Sequence, residues 1–199
     1  MFNQLIPAFR MILVLTVLTG VLYPGLVTGV AHVLLPNQAK GSLIERDGKV
    51  VGSTLIGQNF AKPIYFHPRP SAAGNDGYDA TSSSGSNFGP TNQKLVDRMK
   101  AAGDNFRKEN PTFSGPIPAD LTTTSASGLD PDISPASAYA QAPRVAQARG
   151  IDEQQVRELI AQSIQGRTMG LLGDPRVNVL QLNLTLDEKF PVQHHSPVP

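Results

Sequence analysis

The sequence predicts an α+β protein. One N-terminal transmembrane helix is followed by a single small soluble domain with a short sheet, about three helices and long ordered loops. Three observations predict this. Residues 11–35 read MILVLTVLTGVLYPGLVTGVAHVLL and hold no Asp, Glu, Lys or Arg. Short apolar runs flank Asp47-Gly48, and strict alternation follows Asn178. Between them, stretches with helical apolar spacing are separated by long Pro-, Gly-, Ser- and Thr-rich segments.

Composition narrows the class. The 199 residues leave enough chain after the apolar stretch for one domain with its own core. A net charge of +1, with both signs interspersed, gives no nucleic-acid footprint. With 0 Cys, disulfides and thiolate metal sites are excluded, though the compartment stays open. Absent Trp, few aromatics and abundant Gly and Pro predict a small core with much loop.

The first element is the span. At about 1.5 Å per residue it reaches roughly 37 Å, enough to cross a hydrocarbon core of about 30 Å with some tilt. A cleaved signal peptide is the rival reading, with Arg10 as its positive flank and Gly29-Val30-Ala31 as its small-residue site. The apolar run exceeds the usual length and continues past that site, which favours an uncleaved anchor. Charge is ambiguous about orientation, because Arg10 precedes the span while Lys40, Arg46 and Lys49 follow it. Long domains cross largely regardless of charge, so the expectation is a signal anchor with its N-terminus inside. The layout expected is residues 1–10 as a short cytoplasmic N-terminus, 11–35 as the span, 36–190 as an extracytoplasmic soluble domain and 191–199 as a disordered tail.

The span also has texture. Gly25 and Gly29 form a GxxxG spacing, and Thr16 with Gly20 repeats small-xxx-small. Such residues let another helix approach closely. Pro24 after Tyr23 removes a backbone donor and is expected to kink the helix. Gly20, Tyr23, Pro24, Gly25 and Gly29 are therefore the candidate partner-docking residues.

Next, Asp47-Gly48 between 43–46 and 49–53 predicts a two-residue hairpin, with 54–58 extending its second strand. The irregular stretch 64–89 embeds Tyr65, Phe66, Tyr78 and Phe88, which argues for a shaped loop. A helix starts at Pro90 or Thr91, with Leu95, Met99, Ala102 and Phe106 on one face. Ser134 caps a second helix with Pro135 at its first position, a kink at Pro143 and a stop at Gly150. Asp152 caps a third, with Gln155 placed for a capping box, Val156, Leu159, Ile160 and Ile164 buried, and Gly166 closing it. Leu180, Leu182, Leu184 and Leu186 alternate with Gln181, Asn183, Thr185 and Asp187, which predicts a strand with one wet face.

No catalytic motif emerges. GxSxG and GxxxxGK[ST] are both absent. The loop 82–89, with Ser84, Gly85 and Asn87, has the composition to offer N–H groups to an anion at the following helix start, although such loops are more often structural. Asp130 and Asp132 resemble a fragment of a calcium loop, but the full pattern is missing and turn capping is the commoner role. No metal site is expected. His67 reads as a loop contact, and His194 and His195 as tail residues without function. Arg144 and Arg149, with Arg167 and Arg176, make either a basic patch or, more commonly, a set of surface ion pairs. The residues alone thus describe an anchored domain that looks more like a subunit than an enzyme.

Several segments together resemble one family, the C subunit of the bacterial Kdp potassium-transporting P-type ATPase. They are TGVLYP at 19–24, PNQAKGSLI at 36–44, VGSTLIGQ at 51–58, YFHPRPSA at 65–72, SGSNFGP at 84–90, SASGLDPDISP at 125–135, RVAQARG at 144–150 and GDPRVNVL at 173–180. The likeness covers the chain to about residue 189. Asp132 stands where a His is common, and 190–199 is extra.

The resemblance implies a non-catalytic accessory subunit of a high-affinity potassium uptake pump in the bacterial inner membrane, needed for assembly. It implies two partners, a potassium-channel-like subunit and an ATP-hydrolysing subunit, which carry K+ between them, together with membrane lipid and no nucleic acid. The family is also described as a catalytic chaperone that raises ATP affinity through a shared ternary complex, so bound ATP is an implied possibility and no other cofactor is. A periplasmic domain over the ion entrance is the alternative, since a domain outside cannot touch cytoplasmic ATP. Ser84, Gly85, Asn87, Asp130, Asp132 and Arg144 are the candidate loop residues for either role. An independent anchored enzyme or binding protein using the Ser-rich loop is the remaining alternative.

Overall fold

In the computed structural model, which describes Phe2–Val192, the apolar stretch is a single helix from Leu5 to Leu34, with no residue buried. It begins several residues before Met11. Its two α-helical parts, α1 (Leu5–Val17) and α2 (Tyr23–Leu34), are joined by a π-helical turn at Leu18–Leu22. The cause lies just beyond the turn. Pro24 has no N–H and its ring crowds the preceding turn, so the helix widens there and Tyr23 N–H reaches back five residues to Leu18 O. The expected proline distortion thus takes the form of one wide turn. The Thr19 hydroxyl donates to Leu15 O at 2.7 Å, an added partner for backbone in an apolar setting.

The chain folds as two compact units, one up to Ser53 and one from Thr54. In the first, a short helix α3 (Pro36–Ala39) leads through Gly41 and Ser42, both at positive φ, into β1 (Leu43–Arg46) and β2 (Lys49–Ser53). Asp47 and Gly48 have φ of 52° and 72°, the two left-handed positions of the expected tight turn. Ser53 Oγ donates to Gly41 O and closes the base of the hairpin. Residues 54–58 do not extend β2. Thr54 and Leu55 turn away, and Gly57 N–H donates to Leu129 O within the second unit.

The second unit holds α4 (Gln93–Glu109), β3 (Asp132–Ile133), α5 (Pro135–Arg149), α6 (Glu153–Ser163), β4 (Ile164–Gln165), β5 (Arg176–Asn178) and α7 (Val179–Lys189). Helix α4 starts at its Asn92 cap, two residues later than Pro90 suggests. Ser134 caps α5, and Gly150 ends it at φ +67°, as the residue types require. The helix continues through Pro143. Asp152 caps α6, which ends at Ser163 rather than Gly166 because Ile164 and Gln165 pair with β5. The sheet is antiparallel with order β3-β5-β4.

Residues 180–186 correct the expected strand, because they lie in helix α7. The alternation of leucines is real, but Val179, Leu182, Asn183 and Leu186 also recur at helical spacing, and with Leu180 these are the buried residues. Asn178 ends β5 and caps α7 by accepting Gln181 N–H, so the true strand lies just before the leucines. The main core gathers Phe66, Ile133, Val145, Val156, Ile160, Val177, Leu182 and Leu186. A smaller cluster holds Phe106, Leu121 and Ala140, with Phe113 edge-on to Phe106 at 5.6 Å. Most of the tail, Gln193–Pro199, lies outside the described residues, and His194 and His195 with it.

Candidate functional site

The polar centre of the second unit is an irregular segment, residues 63–71, that starts in a turn and belongs to no sheet. Buried amides stand in for sheet partners. Asn183 Oδ1 accepts Phe66 N–H at 2.9 Å, and Asn183 Nδ2 donates to Phe66 O at 3.0 Å. One residue on, Gln141 Oε1 accepts His67 N–H at 2.8 Å, and its Nε2 donates to His67 O at 3.0 Å. Two amides, from α7 and α5, thus hold both edges of a two-residue stretch while Phe66 sinks into the core.

Arg144 of α5 is the hub of this arrangement. Its Nε donates to Asn110 Oδ1 at 3.1 Å, Nη2 to Gln141 Oε1 at 2.7 Å, and Nη1 to the carbonyls of Pro63 and Tyr65 at 2.6 and 3.0 Å. Burial pulls its pKa down to about 10, against the field of Glu109, so it stays charged at neutral pH. His67 lies beside it. Nδ1 faces Glu109 Oε2 at 3.2 Å, and Nε2 faces Lys62 O at 3.1 Å. Burial and the Arg144 charge push the His67 pKa below its ordinary value, outweighing the Lys62 carbonyl and Glu109.

Arg149, one turn and a half further along α5, braces the start of the same segment. Nε donates to Ile64 O at 2.7 Å, Nη1 to Phe190 O at 2.9 Å and Nη2 to Asp187 Oδ1 at 2.7 Å. Its guanidinium stacks over Tyr65, whose hydroxyl donates to the other Asp187 oxygen. Arg144 and Arg149 are therefore internal struts. Arg167 pairs with Asp174, and Arg176 with Asp132, so the four arginines form no common patch.

The loops that follow interlock. Ser71 Oγ donates to Gly128 O at 2.6 Å and accepts Tyr78 N–H at 2.8 Å. Ser83 and Ser84 donate to Ser127 O and Ala72 O, and Gly85 packs where a Cβ would meet Ala126 O at 2.8 Å. Gly128 has φ +69°, and a Cβ there would meet Ser84 O at 2.6 Å and Ala73 N at 2.7 Å. Asn87 is exposed with φ +52°. The start of α4 is occupied by its own cap, with Asn92 accepting Lys94 N–H.

Asp130 and Asp132 lie across this junction. Asp130 accepts Asp132 N–H and pairs with Arg69 at 2.7 Å. Asp132 pairs with Arg176 at 3.1 Å and accepts Asn178 Nδ2 at 3.2 Å. Burial raises the Asp132 pKa, Asp130 adds to the rise, and Arg176 opposes it. A cleft of about 460 Å³ opens beside Arg69, lined by His67, Tyr78, Asn105, Glu109 and Gln141 among others. The Tyr78 hydroxyl donates to Arg69 O, and burial raises its pKa.

In the anchor, Gly25 and Gly29 face open space and line an apolar groove of about 480 Å³ with Leu26, Val30, Val33 and Leu34. A Cβ on Gly20 would meet only Thr16 of its own helix, at 3.9 Å.

The structure thus joins Asp130 with Asp132, and Ser84 with Gly85, into one loop junction, and sets Arg144 in a separate buried hub. Sequence reasoning did not find Gln141, Asn183 or Asp187. A buried amide on an otherwise apolar helix face is the signal that marks the first two. The chemistry here is bracing: donors and acceptors close on the protein's own backbone, and Ser71 Oγ is held by Gly128 O and two N–H groups rather than by a base.

Comparison with known proteins adds the final observation. A family model described as "KdpC: K+-transporting ATPase, c chain" matches residues 5–188. The chain is similar to the potassium-transporting ATPase KdpC subunit of Caulobacter vibrioides, at 58% identity over 192 residues, covering 96% of each protein. It is similar to that of Rhodospirillum rubrum at 55% over 194 residues, covering 98% of this chain and 100% of the relative. The Myxococcus xanthus subunit is 54% identical over 191 residues, covering 96% and 90%.

Proposed function

The chain belongs to the KdpC family of K+-transporting ATPase c chains, and from that premise we propose that it is the non-catalytic subunit that completes and stabilises a potassium pump in the inner membrane. Its partners in this reading are the channel-like subunit that conducts K+ and the subunit that hydrolyses ATP. The anchor docks in the membrane through Gly25 and Gly29, and the domain stands on the periplasmic side with the N-terminus in the cytoplasm.

The observation that carries the reading is the use of the arginines. Arg144 and Arg149 direct their guanidinium groups at the protein's own carbonyls, amides and carboxylate, as a scaffold does, while the long apolar helix is left wholly uncovered. Neither of these guanidinium groups is free to meet a phosphate. This favours a scaffolding role for Arg144 and Arg149 over nucleotide contact by them, and the pairing of Asp130 with Arg69 and of Asp132 with Arg176 favours bracing roles for these carboxylates over attraction of cations.

The test is co-purification. With Gly25→Leu and Gly29→Leu together, the full chain is expected to reach the membrane but to be lost from the purified pump, because leucines block close helix approach. Undiminished co-purification overturns docking through this groove.

A further inference from the structure

Between β4 and β5 the chain makes a turn that the fold itself does not use. Residues 166–175 are all exposed. Within them Met169, Leu171 and Leu172 expose 90%, 80% and 65% of their surface. Single exposed leucines are ordinary, but three apolar side chains on one tip are not. The tip is also stiff. Thr168 and Leu172 exchange backbone hydrogen bonds at 2.9 and 3.0 Å, Gly170 N–H donates to Arg167 O, and Leu171 N–H donates to Thr168 O. Met169 is held at φ +54°, a left-handed conformation unfavourable for its side chain, followed by Gly170 at +73°. Strain, order and apolar exposure coincide where the domain gains no burial from them.

We propose that Met169–Leu172 is a preformed knob that seats in a neutral apolar pocket on another subunit of the same pump. This rests on the subunit reading above and gives the domain its own docking point. The charge at the base of the turn decides the occupant. Arg167 is paired with Asp174 at 3.2 Å, and Arg176 with Asp132 at 3.1 Å, so the rim carries both signs in balance. An anionic bilayer surface draws on net positive charge around such a tip, which this rim lacks. A protein pocket ringed by mixed polar groups matches it, with the leucines as central anchors and the ion pairs as rim.

The chain has 0 Cys, so Leu171→Cys gives a single reporter. The full chain carrying it is reacted with a polar maleimide in detergent micelles, in phospholipid vesicles without the other subunits, and in the assembled pump. Labelling is expected to be fast in the first two and about tenfold or more slower in the pump. Equal rates in all three overturn the proposal. Slow labelling already in the vesicles assigns the tip to lipid, and concentration-dependent protection in micelles assigns it to a second copy; either result also overturns it. All of these outcomes leave the subunit reading intact as long as the unsubstituted chain co-purifies with the pump, whereas its failure to do so sinks both. As a second measurement, Leu171→Asp is expected to leave the unfolding midpoint of the isolated chain unchanged while its retention in the pump falls about fivefold.

Discussion

Two irregular stretches of the second unit are ordered in opposite ways. Residues 63–67 have no sheet partner, yet Arg144, Arg149, Gln141 and Asn183 close on their backbone from helices 74 to 117 positions away in sequence. The turn 168–172 is held by bonds among residues 167–172, and its apolar side chains stay largely exposed. The first stretch is part of the fold, so damage there unfolds the protein. The second is surplus to the fold, so damage there spares stability and strikes assembly.

The largest effect breaks the first stretch. Arg144→Met removes this donor from the Pro63 and Tyr65 carbonyls and from Asn110 Oδ1, and leaves Gln141 Oε1 with His67 N–H alone. A loss of about 3–5 kcal/mol is expected in denaturant unfolding of the full chain in micelles. Arg144→Lys should not restore it, since an ammonium cannot span the same fork.

Glycines sharpen the comparison. Gly128 and Gly170 share the left-handed conformation, at +69° and +73°, but only Gly128 is walled in by backbone. Gly128→Ala is expected to cost about 2–3 kcal/mol, and Gly170→Ala about 1 kcal/mol, because the second meets open space. Equal costs would show that the two turns are not differently supported.

The smallest effect is in pH. His67 has its folded pKa below the unfolded value of 6.5. Below about pH 6.5 the unfolded chain therefore takes up the proton first, so stability is full above that pH and declines beneath it. The unfolding midpoint is expected to fall more between about pH 7.5 and pH 5 in the unsubstituted chain than in His67→Gln. An identical fall in both would remove His67 from the account.

Much of this fold is legible locally. The Asp47-Gly48 hairpin, the caps at Ser134 and Asp152 and the stop at Gly150 follow from single residues acting on neighbouring backbone. The leucine stretch misleads because its period-two pattern coexists with a helical one, and the choice is made by burial against Val156, Ile160 and Val177. The polar hub was out of reach for a related reason. Arg144 reads as a surface charge until the fold brings Pro63, Tyr65 and Asn110 around it. The anchor groove shows in spacing alone, but the exposed turn at 168–172 needed coordinates, since Met and Leu between glycines look like any short apolar run.

Backbone hydrogen exchange, measured residue by residue on the isolated full chain and on the assembled pump, tests the account most directly. Phe66 and His67 amides are expected to exchange only at the rate of global unfolding in both states, while Gly170, Leu171 and Leu172, bonded only within their own exposed turn, exchange by local opening, faster than global unfolding, in the isolated chain and become much slower on assembly. Rapid exchange at Phe66 and His67 in the isolated chain, or unchanged exchange at the turn in the assembled pump, would contradict it.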